Sequence, residues 1–156
     1  WYPDKLAVQI DLLRSCDAPL VYGAFDLVRE DGSATGNSRK VPAEVDYATL
    51  LRANVVGCLT AIFDRERAGT PLMPDIRMRQ DWGLWLRILR ETSGVARAVP
   101  ESVAALRIRP GSLSSNKLKA TWYSYVLLAR IEEQGALRAA RNIVAHNVWR
   151  LLAGRT

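Results

Sequence analysis

Three short runs rich in Val, Ile, Leu, Tyr and Phe alternate with segments whose apolar residues recur at helical spacing, and this alternation limits the chain to an α/β layer. The runs are Pro19 to Val28, Gly57-Cys58-Leu59-Thr60-Ala61-Ile62-Phe63 and Val103 to Ile108, the last closed by Pro110-Gly111. Between and after them lie the helical patterns. Leu6, Ile10 and Leu13 predict a short helix behind Pro3-Asp4 with one buried stripe, ending near Cys16-Asp17. Tyr47, Leu50 and Leu51 predict a second before Asn54, and Trp82, Trp85, Leu86 and Leu89 a third, with Asp81 in the N-cap position. Glu30-Asp31-Gly32-Ser33 reads as a turn, 33–44 as a polar loop, and 64–79 as a long loop of functional rather than connecting character. The expected fold class is α/β, an incomplete mixed sheet of about three strands with flanking helices and a C-terminal helical pair. In that pair Leu118, Trp122, Tyr125, Val126 and Ala129 form one stripe and, after Gly135, Val144, Val148, Leu151 and Leu152 a second. Residues 1–117 are read as the α/β part and 118–156 as a helical hairpin packed on it.

Charge divides the chain unevenly. Residues 1–74 carry eight basic and ten acidic side chains, whereas residues 75–156 carry fourteen basic and six acidic, so an anionic partner is expected to meet the second half. No apolar run approaches the roughly 18–20 residues of a membrane-spanning helix. The first residue is Trp1, with no charged-then-apolar leader, which reads as a fragment without a signal peptide. Cys16 and Cys58 lie far apart without metal-ligand spacing, so both are expected to be reduced apolar fillers. His146 has no ligand-spaced companion and is expected to be a surface or satisfied helix residue. No phosphate-binding Gly-rich loop is present.

Two constellations could carry chemistry. In Arg77-Met78-Arg79-Gln80-Asp81-Trp82 two guanidiniums lie within four residues of a carboxylate at a loop-to-helix boundary. They could hold an anionic substrate while Asp81 takes a proton from a hydroxyl. Capping of the helix by Asp81 is the competing and compatible reading. Trp82 either stacks on a sugar face or belongs to the core, and Trp85 is core. The second constellation, Arg107 to Lys117, sets Ser112, Ser114 and Asn116 between Arg and Lys before a helix, which suits either a phosphate or plain capping.

The ordered set Trp1-Tyr2-Pro3-Asp4-Lys5-Leu6, Asp31-Gly32, Leu50-Leu51-Arg52-Ala53-Asn54, Gly57-Cys58-Leu59-Thr60, Met73-Pro74-Asp75-Ile76-Arg77, Arg79-Gln80-Asp81-Trp82-Gly83-Leu84-Trp85-Leu86, Leu106-Arg107 and Ser112 to Lys117 resembles the acceptor-side, C-terminal half of bacterial family-two glycosyltransferases. The resemblance implies an inverting enzyme of the fold-A type. In that family an acidic Asp-x-Asp motif, which binds metal and nucleotide diphosphate, precedes the Trp-x-Pro-x-Lys-Leu segment. It would therefore stand upstream of Trp1, so a divalent Mg or Mn is expected in the full-length enzyme and none on this fragment. The resemblance makes Asp81 the catalytic base. It makes Arg77, Arg79, Arg107, Ser112, Ser114 and Lys117 loop positions near the diphosphate or acceptor, and Gln80 and Trp82 are expected to bind substrate beside them.

The implied function is sugar transfer from a UDP- or GDP-linked donor to a saccharide or lipid-linked acceptor in polysaccharide or lipopolysaccharide synthesis. The protein would be cytoplasmic, with peripheral contact at the inner membrane face and no specific nucleic acid. The fragment alone is expected to be inactive and, through its uncovered sheet edge, a homodimer. The rival is a non-catalytic basic module that binds nucleic acid or an anionic membrane surface.

Overall fold

The structure, a computed structural model, describes residues 1–109 and 116–153, with side chains of the last helix followed to Val148. Its centre is β1 (Leu20–Val28), whose first five residues are all buried. On one edge β1 pairs antiparallel with β2 (Ala34–Arg39), in the register Phe25 to Arg39 and Asp26 to Ser38, and with the two-residue β4 (Ile62–Phe63). On the other edge β5 (Ala96–Arg107) runs parallel to it, and β3 (Glu44–Val45) pairs antiparallel with the start of β5. The result is a mixed sheet of order β2-β1-β5-β3 with β4 off that path, which bears out the mixed α/β class.

A bulge interrupts the parallel ladder. Gly23 faces Val99 and Ala24 faces Ser102, which leaves Pro100 and Glu101 without partners on β1. Proline has no N–H for a ladder, so a bulge is where a strand tolerates it. A Cβ on Gly23 would stand 2.7 Å from Val99 Cγ2 and 2.9 Å from Val103 Cγ2, so β5 approaches β1 this closely only over a glycine.

The polar stretch 33–44 contains β2 and β3 rather than only loop. The hairpin closes at Gly32, with φ of 88°, and Asp31 accepts from the Ser33 N–H at 2.9 Å. The expected strand at 57–63 is mostly a turn. The Gly57 carbonyl accepts from the Thr60 N–H, the Ala61 N–H and the Thr60 hydroxyl, so only Ile62 and Phe63 remain to pair.

Helix α1 (Lys5–Ser15) lies where expected but turns a different face inward. Lys5 and Gln9 are buried while Leu6 and Ile10 are exposed, and Leu13 is half-buried. Each polar residue has one contact there, while the Lys5 Nζ and Gln9 Oε1 atoms find no hydrogen-bond partner among the described residues. The Gln9 amide donates to the Thr60 carbonyl at 2.7 Å, and the Lys5 ammonium sits 4.4 Å from the Trp1 ring centroid. Burial lowers the Lys5 pKa.

The core is built around α4 (Gln80–Thr92), whose predicted stripe Trp82, Trp85, Leu86 and Leu89 is buried together with Gly83, Leu84 and Ile88. So broad an apolar girdle needs cover on several sides. The cover comes from β1, from α2 (Tyr47–Arg52), from the short α3 (Arg65–Ala68) and from the C-terminal helices. At Gly83 a Cβ would meet Pro74 Cγ at 2.6 Å and Leu127 Cδ1 at 2.9 Å, which explains a glycine within the Asp81-Trp82-Gly83 block.

The C-terminal pair consists of α5 (Lys117–Val126), a π-helical turn over Leu127–Ile131 and α6 (Ala136–Ala153). Its inward faces are Ala120, Ser124, Leu127 and Leu128, and Ala139, Asn142, Ile143 and His146. The stripes expected from Leu118 and Trp122 and from Val144 and Val148 face outward instead. The small Ala120 and Ser124 allow α5 to approach the body more closely than Leu118 and Trp122 would. Among the described residues, no helix is long and apolar enough to cross a membrane.

Candidate active site

Arg79 precedes α4 in the left-handed conformation, with φ of 72°, and its side chain makes no cap. The expectation that Asp81 caps the helix is therefore corrected, because Arg79 holds the N-cap position and Asp81 is the second helical residue. A left-handed non-glycine residue carries a cost that its surroundings must offset. Here Met78 goes into the core, and Arg79 Nε donates to the Ser124 hydroxyl at 3.1 Å. The helix is thus entered with a carboxylate in its first turn, where the dipole favours negative charge.

Asp81 is half-buried and opens on a cleft of about 470 Å³. Six elements converge on this cleft: Phe25 from β1, Arg39 from β2, the turn Asn54 to Leu59, Arg79 and Asp81 at the start of α4, Leu106 from β5, and His146 from α6. Asp81 accepts no hydrogen bond from any described residue. Its carboxylate faces Cys58, whose thiol pKa is raised first by burial and then by the Asp81 charge.

His146 is a buried residue and part of this wall. Its ring stacks on Trp82 at a centroid distance of 5.1 Å, and Nδ1 accepts from the Asn54 N–H at 3.3 Å. Trp82 is fully buried, and its indole N–H donates to the Leu50 carbonyl at 3.0 Å. This corrects the sugar-stacking alternative, because Trp82 presents no accessible face.

The other predicted site residues do not gather here. Arg77 is exposed and Gln80 half-buried, and neither lines the cleft. Arg107 ends β5 toward the β1–β2 turn, where its charge is one of the lesser influences that lower the Asp31 pKa after the contacts from Ser33. Lys117 begins α5 and is exposed. Ser112 and Ser114 lie outside the described residues. Sequence reasoning missed Arg39, Asn54, Cys58 and His146 as site residues; they come from three separate segments, β2, the turn at 54–59 and α6.

The carboxylate's influence on Cys58 can be measured directly. Asp81→Asn should lower the Cys58 thiol pKa, so alkylation by iodoacetamide should begin at a lower pH than in the unaltered protein. Identical alkylation profiles would mean that Asp81 does not face this cleft.

No protein-family model matches the chain. It is 33% identical over 134 residues to TuaG of Bacillus subtilis, a glycosyltransferase named for teichuronic acid biosynthesis; the match covers 84% of this chain and 53% of that protein. It is also 29% identical over 119 residues to WfgD of Escherichia coli, covering 76% of this chain and 46% of the relative. WfgD is named a UDP-Glc:alpha-D-GlcNAc-diphosphoundecaprenol beta-1,3-glucosyltransferase. WfaP of the same species bears the same enzymatic name and is 29% identical over 120 residues, covering 76% of this chain and 46% of its own length.

The chain belongs among the bacterial glycosyltransferases. It spans about half the length of the curated relatives it matches.

Among the described residues no three His, Cys, Asp or Glu side chains are placed to hold a metal ion.

Proposed function

We propose that this chain forms the acceptor side of an inverting glycosyltransferase and that Asp81 is its general base. The observation that carries this reading is the uncommitted, half-buried Asp81 carboxylate at the wall of an open cleft. An acceptor hydroxyl within hydrogen-bond reach of Asp81 loses its proton to the carboxylate as its oxygen bonds to the anomeric carbon of the donor sugar. The bond from that carbon to the nucleoside diphosphate breaks at the opposite face, and the electron pair leaves with the diphosphate. Inversion follows from this geometry.

Arg39 and Arg79 give the cleft positive charge, which suits an acceptor bearing phosphate near the reacting sugar. The names of two relatives point to the same class, a saccharide linked through diphosphate to a polyprenol. The donor, a UDP- or GDP-linked sugar, and a divalent Mg or Mn belong to the part of the enzyme outside these residues. A cytoplasmic site at the inner membrane face accords with such an acceptor.

Cys58 offers a test because it is exposed in the same cleft. In the whole transferase, a saturating acceptor should slow alkylation of Cys58 about tenfold, as occupancy of a cleft excludes a second molecule, while the nucleotide alone leaves the rate unchanged. Equal alkylation with and without acceptor would place acceptor binding elsewhere.

A further inference from the structure

A second cleft lies between α2 and the first turns of α6, with its three arginines exposed to solvent. It is about 280 Å³ in volume and is lined by Arg52, Arg138, Arg141, Gln134 and Asn142, with Leu51 on its apolar side. We propose that this cleft is a binding site for a phosphate or diphosphate group. Three guanidiniums line one concavity that has no carboxylate in its wall. None of the three pairs with a carboxylate among the described residues.

The neighbouring acids are already engaged. Asp46, within electrostatic reach of Arg52, accepts from the Thr49 N–H at 2.7 Å. Glu132 accepts from the Tyr47 hydroxyl at 2.7 Å and from Arg90 at 2.5 Å. Three guanidiniums in a wall that contains no carboxylate favour an anion between them, and guanidinium forks match phosphate oxygens in pairs.

The floor is polar and organised. Asn142 is buried and donates to the Gln134 side-chain oxygen at 2.7 Å, which ties the turn before α6 to the helix. The turn ends at Gly135, with φ of 75°, so the positive end of the α6 dipole stands beside the cleft. Asn142 is one helical turn from His146, about 6 Å along the axis at the usual rise per residue. The phosphate site and the wall of the Asp81 cleft are thus carried by one helix. Leu137, 90% exposed, shares a face of α6 with Arg141, an apolar neighbour that a lipid headgroup region would cover and a free phosphate would not. The assignment does not depend on the role of Asp81.

The test uses the full chain at about 0.15 M salt, where long-range attraction between exposed charges is largely screened. One arm titrates inorganic pyrophosphate by calorimetry; the other measures retention on phosphatidylglycerol-containing vesicles against phosphatidylcholine alone. The double variant Arg138→Ala/Arg141→Ala is compared with Arg65→Ala/Arg87→Ala, which removes the same charge from exposed sites outside the cleft. We expect the cleft variant to weaken binding by about tenfold or more and the control to leave it near its original value. Loss in the pyrophosphate arm alone identifies a soluble phosphate ligand, and loss in the vesicle arm identifies a lipid headgroup; either supports the site. Absence of binding in both arms, retention of binding by the cleft variant, or equal loss in the control overturns it.

Discussion

Asp81→Asn in the whole transferase is expected to lower kcat by about 10²–10⁴-fold, the usual worth of a positioned general base. The amide keeps the size and shape of the carboxylate but cannot take the proton of the acceptor hydroxyl. The fold should survive. Asp81 is not the cap of α4, and no described side chain or backbone N–H depends on its oxygens. What is lost structurally is a negative charge near a helix N-terminus, about 0.3–1 kcal/mol at an accessible position. Steady-state kinetics and a thermal melt on the same preparation separate the two effects. A large fall in kcat with the melting temperature nearly unchanged supports the base, whereas near-normal turnover by the Asn variant removes Asp81 from the chemistry.

The parts of this molecule that were legible in the sequence are those where one residue pattern answers to one environment. Helix α4 is such a case, since Trp82, Trp85, Leu86 and Leu89 repeat at helical spacing and all four are buried. β1 is another, a continuous apolar run buried between neighbours on both edges. β2 was not legible because an edge strand reading Ala34-Thr35-Gly36-Asn37-Ser38-Arg39 has no buried face to impose alternation.

Helix α1 misleads for a different reason. Its apolar stripe is real, but the inward positions go to Lys5 and Gln9, and the Thr60 carbonyl that accepts from Gln9 is brought near only by the fold. The candidate site shows the same division. Asp81 could be singled out from its neighbours Arg77 and Arg79, while His146, 65 positions further on in the chain, joins the cleft only because α6 packs back across α2 and α4.

Trp82 gives the second large effect, on stability. The side chain is fully buried; its indole N–H donates to the Leu50 carbonyl and its face lies against the His146 ring. Leu50 sits near the end of α2, where carbonyls lack partners within the helix, so the indole satisfies an acceptor that would otherwise be stranded in the core. Trp82→Ala removes the ring, the donor and the support for His146 together. Large-to-small changes of this kind cost about 3–5 kcal/mol. For a chain of this length each kcal/mol lowers Tm by about 2–4 °C, so a fall of about 10 °C is expected.

Trp82→Phe is the informative companion. It keeps an aromatic ring in the core but abandons the Leu50 carbonyl, a loss of about 1–3 kcal/mol for an unsatisfied buried acceptor. Calorimetric melts should therefore rank the proteins as unaltered, then Phe, then Ala. If Trp82 contacted a sugar instead, both variants would melt near the unaltered temperature and the defect would appear in KM for the acceptor. That pattern would reverse the assignment of Trp82 to the core.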